Sequence, residues 1–559
     1  MKKISILIVF LSFMTLSCKK YLDIVPDNIA TIENAFTLES TAERYLMSCY
    51  SFMPYDSDLP FSTLLSGDEL WLPSNPMPSY LMDVNHSWGI ALGKQTADQP
   101  LLDYWNGAHG RGGFWKGIRY CNTFLENIEK VPGMADAEKK RWIAEAKFLK
   151  AYYHFYLVKA YGPIPLIKEN LPISATPEQV KLKREPVDDC FAYIVELLDE
   201  ATVDLPVNVA DENREMGRIT KLIALGIKAK ILVYAASPLF NGNTDYAGFG
   251  YNNVPLFNQQ VSQEKWVKAA AACKDAITAA EAAGHSLYKF ERTPLTASIS
   301  EATKTQLSIR NTITEKWNSE TLWANPNTTT PVLQAWATPF ALDPAAKANP
   351  TPRGDLAVPL NIASLFYSEN GVPIDEDNNW DYANRYDLRI ATPADEHQIA
   401  NSYETAAFNF DREPRFYADL GFDGGIWYGQ GRYKDDIGDN WVVKAKVGQT
   451  QGRQGITIFS ITGYWPKKYV YYTNTMSPVY YSIVDYPWVL LRLGDLYLLY
   501  AEALNESGAS YAESCKYLDF IRTRAGLKGV EDSWTNHSKY PDKFTTQSGL
   551  REIIEREIN

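Results

Sequence analysis

The feature that most constrains the fold is a long helical segment from about Asp136 to Tyr161. Its apolar residues recur every three or four positions, which places them along one face of a helix. Gly162 and Pro163 follow at once, and this pair is typical of a helix end. A helix with one apolar stripe must bury that stripe against another element, so the segment predicts a fold built from packed helices.

Further segments show the same signals of helix start, periodicity and helix end. Pro186 suits the first turn of one helix, Thr220 is a good N-cap for the next, and Gly284 ends a third. The predicted helices are 186–202, 221–236, Glu264 to Ala283, Trp488 to Ser507 and about Ala512 to Ala525. Helices of this length with short connections are typical of an α-helical repeat scaffold, here without a strict sequence repeat.

Two long regions between the helices lack this periodicity. They span about Ser51 to Gly113 and His285 to Tyr486, with strand-like runs at Gly455 to Ile461 and Lys468 to Tyr472. Ten of the fifteen Trp residues fall in these two irregular regions. Long loops inside a compact domain are usually functional or disordered, and the aromatic content argues against disorder. We therefore expect a ligand site in these regions.

The N-terminus predicts export. Lys2 and Lys3 precede a short apolar run from Ile4 to Leu16, and Cys18 follows. The run is too short to span a membrane and is typical of a signal peptide. Cys18 predicts a lipoprotein whose thiol carries the lipid, although Thr15 stands where the lipoprotein pattern prefers Leu.

We therefore expect three parts in the chain. These are a signal peptide over 1–17, a lipidated tether over 18–30 and one α-helical domain over 31–559. After Cys18 no apolar run approaches the ~20 residues that a transmembrane helix needs. A lipid on Cys18 would then hold the domain on a membrane without a spanning helix.

Composition argues against several function classes. A net charge of −12 gives no electrostatic footprint for nucleic acid. The six His are scattered, and neither H-E-x-x-H nor G-x-S-x-G occurs. The five Cys after Cys18 are widely spaced without C-x-x-C, which favours free thiols in the core.

One segment imitates a calcium loop without completing it. Asp375, Asp377 and Asn379 match the first ligand positions, but Trp380 replaces the required Gly and Tyr386 replaces the closing Glu. The sequence therefore predicts no metal and no cofactor. A pair of catalytic carboxylates for glycoside hydrolysis stays open, because such a pair is defined by its separation in space.

Several segments resemble the SusD/RagB family of surface lipoproteins from Bacteroidetes. In the family's order they are SCKKYLDIVP, AEAKFLKAYYHFYLVKAYGPIPL, RITKLIALGIKAKILVYAASPLFNG, EPRFYADL, YPWVLLRLGDLYLLYAEALNE and LDFIRTRAGL. The resemblance implies a mainly α, SusD-like fold of four tetratricopeptide-like helix pairs, with long irregular loops and a few short strands. It also implies a lipid-anchored location at the cell surface of the outer membrane. The implied partner is a SusC-like TonB-dependent transporter, over which the lipoprotein sits as a lid.

The C-terminal segment LREIIEREIN resembles the start of the family's late helix, which is rich in Arg and Glu. That helix normally continues for some tens of residues, whereas this chain stops at Asn559 without a helix stop signal. We expect that the C-terminal end of the domain is missing from this chain.

Aromatic residues of the irregular regions are the candidates for ligand binding. A sugar ring offers a C–H face on which aromatic rings stack and a hydroxyl rim that Asn, Asp and Arg can bind. The predicted ligand-binding residues are Trp71, Trp88, Trp323, Trp336, Asp68 and Asn325. Each Trp could instead be an internal anchor of its loop, and the family fixes no binding motif that would decide between the two.

The leading functional hypothesis is a non-enzymatic glycan-binding lipoprotein. It would capture oligosaccharides or polysaccharides and deliver them to the SusC-like transporter. A peptide ligand on the same scaffold, as the RagB branch implies, is one alternative. A glycoside hydrolase is the other, and it would require two facing carboxylates with separated pKa values.

Overall fold

The computed structural model describes residues 32–59, 63–73, 85–107, 113–436, 438–453, 455 and 458–559. The predicted signal peptide, the predicted lipidation site Cys18 and the tether over 18–30 lie outside these residues. In the described part of the chain, no helix has the length and apolar character needed to cross a membrane.

Helices dominate the described residues. They are α1 (Glu39–Tyr50), α2 (Asn85–Ala91), α3 (Phe114–Asn127), α4 (Asp136–Tyr161), α5 (Pro177–Val180), α6 (Val187–Asp204), α7 (Glu212–Glu215), α8 (Lys221–Ala236), α9 (Gln263–Ala282), α10 (Glu301–Thr314), α11 (Thr330–Ala337), α12 (Leu360–Leu365), α13 (Pro414–Asp419), α14 (Leu493–Ser507), α15 (Tyr511–Arg524), α16 (Val530–His537) and α17 (Gln547–Ile558).

The strands are short and form two-stranded antiparallel pairs. The pairs are β1 (Gly250–Tyr251) with β2 (Val254–Pro255), β3 (Thr321–Asn325) with β12 (Trp488–Arg492), β4 (Leu388–Ile390) with β5 (Glu404–Ala406), β6 (Leu420–Gly421) with β9 (Trp465–Pro466), β7 (Ile426–Trp427) with β8 (Trp441–Val442), and β10 (Thr475–Met476) with β11 (Tyr481–Ser482).

The longer helices pack in a series that follows the chain. Helix α3 packs on α4, α4 on α6, α6 on α8, α8 on α9, α9 on α14 and α14 on α15. Helix α4 has the predicted bounds, and Gly162 after it takes a φ of 68°, which Gly adopts at little cost. The predicted mainly α fold of tetratricopeptide-like helix pairs is confirmed.

Two predicted helix starts were wrong. Pro186 lies at the N-cap of α6 rather than in its first turn. Residues Trp488–Arg492 form strand β12, and α14 begins only at Leu493. The helical pattern fails there because the backbone of these residues pairs with β3.

The two strand predictions in the second irregular region were also wrong. Lys467–Tyr469 forms one 3-10 turn, and the Tyr471 N–H donates to the Gln334 side chain rather than to a neighbouring strand. The described residues of the run from Gly455 to Ile461 form no strand. Conversely, α10 and α11 lie inside this region, where no helix was predicted.

The two largest hydrophobic clusters of the described residues form two cores. The helical core lies among α1, α3, α4, α6, α8, α9 and α14 and holds several of the buried free cysteines. The loop core is built from the irregular regions and includes the buried Trp88, Trp427 and Trp465. The β3–β12 pair joins them, because Trp323 of β3 belongs to the helical core while Trp488 of β12 packs against the loop core.

Candidate ligand-binding site

Trp323 lies inside the helical core with 1% of its surface exposed. Its ring meets Phe148 and Tyr152 of α4 edge-on, with ring centroids 5.5 and 5.0 Å apart. The indole N–H donates to the Gly217 carbonyl at 3.3 Å. The prediction that Trp323 contacts a ligand is therefore corrected: it is an internal anchor, the alternative that the sequence left open.

Asn325 is turned inward as well. Its Nδ2 donates to the Pro54 carbonyl at 3.3 Å, and its Oδ1 accepts the Asn327 N–H at 3.0 Å. Both ends of the amide are engaged and the residue is buried. Asn325 thus ties the end of β3 to the first irregular region, and its predicted role as a ligand contact is corrected accordingly.

Trp88 is fully buried in the loop core. Its ring packs edge-on against Trp71, with centroids 4.3 Å apart and planes at 81°. A ring without exposed surface cannot stack on a sugar, so the predicted ligand contact is corrected to a positioning role. Trp88 fixes the ring of Trp71 from the inner side.

Trp71 and Trp336 are half-buried and meet on one backbone segment. Trp71 exchanges two backbone hydrogen bonds with Ala357, of 2.8 and 2.9 Å, while the Leu356 N–H donates to the Trp336 carbonyl at 3.2 Å. Both rings pack against the loop core. One aromatic residue from each irregular region is therefore attached to neighbouring residues of the same segment.

Polar side chains accompany both rings. The Arg353 guanidinium carbon lies 6.0 Å from the Trp336 ring centroid, and its Nε donates to the buried Asp355 carboxylate at 3.3 Å. Asp68, three residues before Trp71, is exposed and accepts from Asn361 Nδ2 at 3.3 Å. We call Trp71, Trp336, Arg353, Asp68 and Asn361 the aromatic face.

Helix α11 holds Trp336 in place. Two residues before it, the buried Gln334 donates to the Val484 carbonyl at 2.9 Å. Its Oε1 accepts from the Tyr471 N–H at 3.2 Å and from Asn474 Nδ2 at 2.8 Å. With its amide fully bonded, Gln334 fixes the helix against the loop core, which preorganises the ring that follows.

A cavity of about 420 Å³ opens beside the end of β3. It is lined by Glu43, Met47, Tyr50, Met53, Asp211, Arg214, Glu215, Met216, Gly217, Arg218, Asn325, Pro326 and Asn327. The nearly buried Arg218 donates to Glu145 at 2.9 Å and to Glu43 at 3.2 Å. Burial alone would raise the pKa of Glu215, but Arg141 at 2.9 Å, together with Arg218, holds that pKa below its usual range. Part of the cavity wall thus consists of carboxylates matched by guanidinium groups.

Two charged motifs of the sequence serve the scaffold. The Asp377 carboxylate accepts from Ser368 Oγ at 2.5 Å and from Asn370 Nδ2 at 2.9 Å, so its oxygens hold a turn. In the DREPR segment, Arg415 contacts the Glu557 carboxylate at 2.6 Å. This segment therefore contributes a charge pair to the scaffold.

Sequence reasoning missed Arg353 and Asn361. Neither belongs to a motif, and both join the aromatic face only because segment 353–361 crosses it. The one signal that could have drawn attention is the run NPTPRGD, in which turn residues surround an arginine within an aromatic-rich region.

Two family models match most of the chain. The model described as the SusD family matches residues 308–559. A second model, described as starch-binding and associating with the outer membrane, matches residues 20–233.

Curated proteins and solved structures are also similar to this chain. A SusD-like protein from Bacteroides ovatus is 30% identical over 162 residues, which are 29% of this chain and 27% of that protein. The starch-binding protein SusD from Bacteroides thetaiotaomicron is 27% identical over 133 residues, 23% of this chain and 21% of that protein. The matched segments thus span less than a third of either relative. This chain is also similar to the solved structure of the protein named BT4246, with 24% identity and a TM-score of 0.74. The likeness covers 93% of this chain and 86% of that protein, and it concerns the fold.

Proposed function

We propose that this chain, which belongs to the SusD family, is a cell-surface protein. It captures oligosaccharides or polysaccharides on the aromatic face. One observation carries the proposal. Trp71 and Trp336 come from separate irregular regions, yet both are half-buried and attached to neighbouring residues of segment 353–361. Half-buried indoles beside Arg, Asp and Asn side chains are the groups that a sugar ring and its hydroxyls require.

The expected affinity is modest. An aromatic contact contributes roughly 0.5–1.5 kcal/mol beyond its buried area, whereas a micromolar dissociation constant needs about 8 kcal/mol in all. Two rings and a few hydrogen bonds thus give weak binding of a single sugar. Weak binding suits a receptor that must release its ligand to another protein.

The proposed partner is a SusC-like TonB-dependent transporter in the outer membrane. Support comes from the family, one of whose models is described as associating with that membrane. In this proposal Cys18 carries the lipid, residues 18–30 form the tether, and residues 31–559 form one domain that sits over the transporter. A lipid anchor keeps such a domain at the membrane surface without a spanning helix.

Binding without catalysis is the favoured activity. A glycosidase acid must stay protonated near neutral pH, which requires a raised pKa. In the cavity, guanidinium groups lower the pKa of Glu215 instead. The carboxylate of the aromatic face, Asp68, is exposed to solvent rather than enclosed in an apolar pocket.

Isothermal titration calorimetry tests this function. The chain from Lys19 onward is titrated with plant, host and microbial polysaccharides and with a mixed peptide library. We expect saturable heat with a glycan and a loss of affinity of about tenfold or more in Trp336→Ala, since tenfold corresponds to about 1.4 kcal/mol. Tyr540→Ala is the control, because Tyr540 is an exposed aromatic residue outside the aromatic face.

Two results would contradict the proposal. Heat from peptides alone would assign the scaffold to peptide binding. Glycan binding that is unchanged in both Trp71→Ala and Trp336→Ala would place the site elsewhere.

A further inference from the structure

A second aromatic cluster lies exposed just before β4. Tyr382 and Tyr386 are 38% and 56% exposed. The guanidinium carbon of Arg385 lies 4.0 Å from the Tyr382 ring centroid and 4.5 Å from the Tyr386 ring centroid. Its Nη1 donates to the Tyr382 carbonyl at 2.7 Å. A guanidinium group that contacts two rings and a carbonyl is held in one orientation. We call these three residues the tyrosine platform.

Arg385 lacks a carboxylate partner among the described residues. Two other arginines of this part of the protein are paired with carboxylates: Arg389 contacts Asp411 at 2.5 Å, and Arg415 contacts Glu413 and Glu557. The nearby Asp381 carboxylate accepts from Asn384 instead. A guanidinium group has five N–H donors in a fork that matches carboxylate and sulfate oxygens. The remaining donors of Arg385 are available to an external anion.

The tyrosine platform rests on a rigid base. The Tyr386 ring stacks on the buried Phe408 ring with centroids 6.3 Å apart. The Phe408 N–H donates to the Arg385 carbonyl at 2.6 Å, and the Ala407 N–H donates to the Asp387 carbonyl at 2.8 Å. The exposed side chains therefore stand on backbone that is bonded to the loop core, which reduces the entropic cost of binding.

The tyrosine platform is separate from the aromatic face. The Phe408 ring packs edge-on against the Tyr464 ring, with centroids 6.1 Å apart. The Tyr464 carbonyl accepts from the Val358 N–H at 3.1 Å. Val358 follows Ala357, to which Trp71 is bonded. Two buried aromatic residues thus link the two surfaces, which share no residue.

We propose that the tyrosine platform is a second glycan contact that is selective for anionic sugars. A sugar ring would pack against the exposed parts of the two tyrosine side chains, while its carboxylate or sulfate binds the Arg385 guanidinium. The proposal rests on the proposed function in that the ligand is a glycan. It adds the chemical class, a polymer that contains uronic acids or sulfate esters.

Matched polymers that differ only in charge test this selectivity. The chain from Lys19 onward is titrated with polygalacturonate and its methyl ester, and with dextran sulfate and dextran. We expect at least one anionic polymer to bind about tenfold or more tightly than its neutral counterpart. Arg385→Gln should abolish that difference, and Tyr386→Ala should weaken it while Tyr386→Phe retains it. Arg119→Gln, which removes one exposed arginine from α3, is the control for net charge.

The outcomes separate the two proposals. Equal affinity for charged and neutral polymers, or charge selectivity that survives Arg385→Gln, overturns the tyrosine platform. Neutral-glycan binding that depends on Trp336 would persist in that case, and the proposed function would stand. If no glycan of either kind binds, both proposals fail. Thermal unfolding of each variant, monitored by circular dichroism, confirms that the variants are folded.

Discussion

At the scale of single residues, the exposure of an indole ring separates ligand candidates from core anchors. Trp336 and Trp323 lie in the same irregular region with Asn residues nearby. Trp323 is buried because β3 places it against α4, whereas Trp336 is half-buried on α11. Trp71, Trp336 and Asp68, which the sequence suggests as ligand contacts, stay predictions. The sequence could not predict which rings face inward, because that depends on strand pairing between residues far apart in the chain.

Trp323→Ala should destabilise the protein strongly. Removing a buried indole leaves a cavity and costs about 3–5 kcal/mol, whereas truncation of the half-buried Trp336 should cost clearly less. Urea unfolding of the two variants checks this difference. Equal losses of stability in Trp323→Ala and Trp336→Ala would contradict the burial described for these rings.

Lys467→Met should stabilise the protein at neutral pH. Burial lowers the pKa of Lys467 well below its usual value of 10.5, and the nearby Arg310 lowers it further. The ammonium group donates to the Ile426 carbonyl at 3.2 Å. Burying it costs free energy, and Met fills similar volume without a charge, so we expect a gain of about 1–3 kcal/mol.

The gain from Lys467→Met should depend on pH. Because folding lowers the pKa of this lysine, the unfolded chain binds the extra proton and the cost is greatest at low pH. The difference between variant and wild type should therefore shrink as the pH rises toward 10.5, the usual lysine value. Denaturant unfolding at a series of pH values measures this difference in stability. A variant less stable than the wild type at neutral pH would contradict the prediction.

At the scale of elements, the last described helix is held to the loop core by one buried carboxylate. Glu557 of α17 contacts Arg415 at 2.6 Å and Arg522 at 2.6 Å. Arg415 lies in α13, within an irregular region, and Arg522 lies in α15. This triad fixes α17 against both neighbours.

Glu557→Gln should cost about 3–5 kcal/mol of unfolding free energy. Removing one member of a buried ion-pair network leaves the opposite charges uncompensated. The control in the same helix is Glu552→Gln, because Glu552 is exposed and its pair with Lys543 is worth about 1 kcal/mol at most. Urea unfolding of both variants measures the contrast, and equal costs would count against the triad.

The triad also predicts sensitivity to acid. Burial alone would raise the pKa of Glu557, but Arg415 and Arg522 hold it below its usual value of 4.5. The stabilisation is therefore complete above that value and is lost as the pH falls through the lower folded pKa. Between about pH 5 and pH 3 the wild type should lose more stability than Glu557→Gln. A parallel decline in both proteins would exclude this role.

Sequence prediction succeeded for elements whose apolar pattern is regular and failed for those that bury polar groups. The bounds of α4 follow from its stripe and from Gly162. Helix α10 was missed because its buried face includes Ser308, Arg310 and Asn311, which give no apolar period. Such polar burial is stable only because partners elsewhere satisfy it, as the Val470 carbonyl does for Arg310.

At the scale of the whole molecule, the helical core and the loop core are joined by the β3–β12 pair. We propose that residues 31–559 form a single domain. Because Trp323 and Trp488 place one pair of strands in contact with both cores, the cores should unfold together. Differential scanning calorimetry should show one transition whose calorimetric and van't Hoff enthalpies agree. Two separate transitions would divide the chain into two domains.

The central claim is that glycans bind on the aromatic face rather than in the cavity beside β3. The most direct test is the dissociation constant of one bound glycan for wild type, Trp336→Ala and Asn327→Ala, since exposed Asn327 lines only the cavity. We predict a loss of affinity of about tenfold or more for Trp336→Ala and no change for Asn327→Ala. The reverse pattern, with affinity lost only in Asn327→Ala, would contradict the account and place the ligand in the cavity.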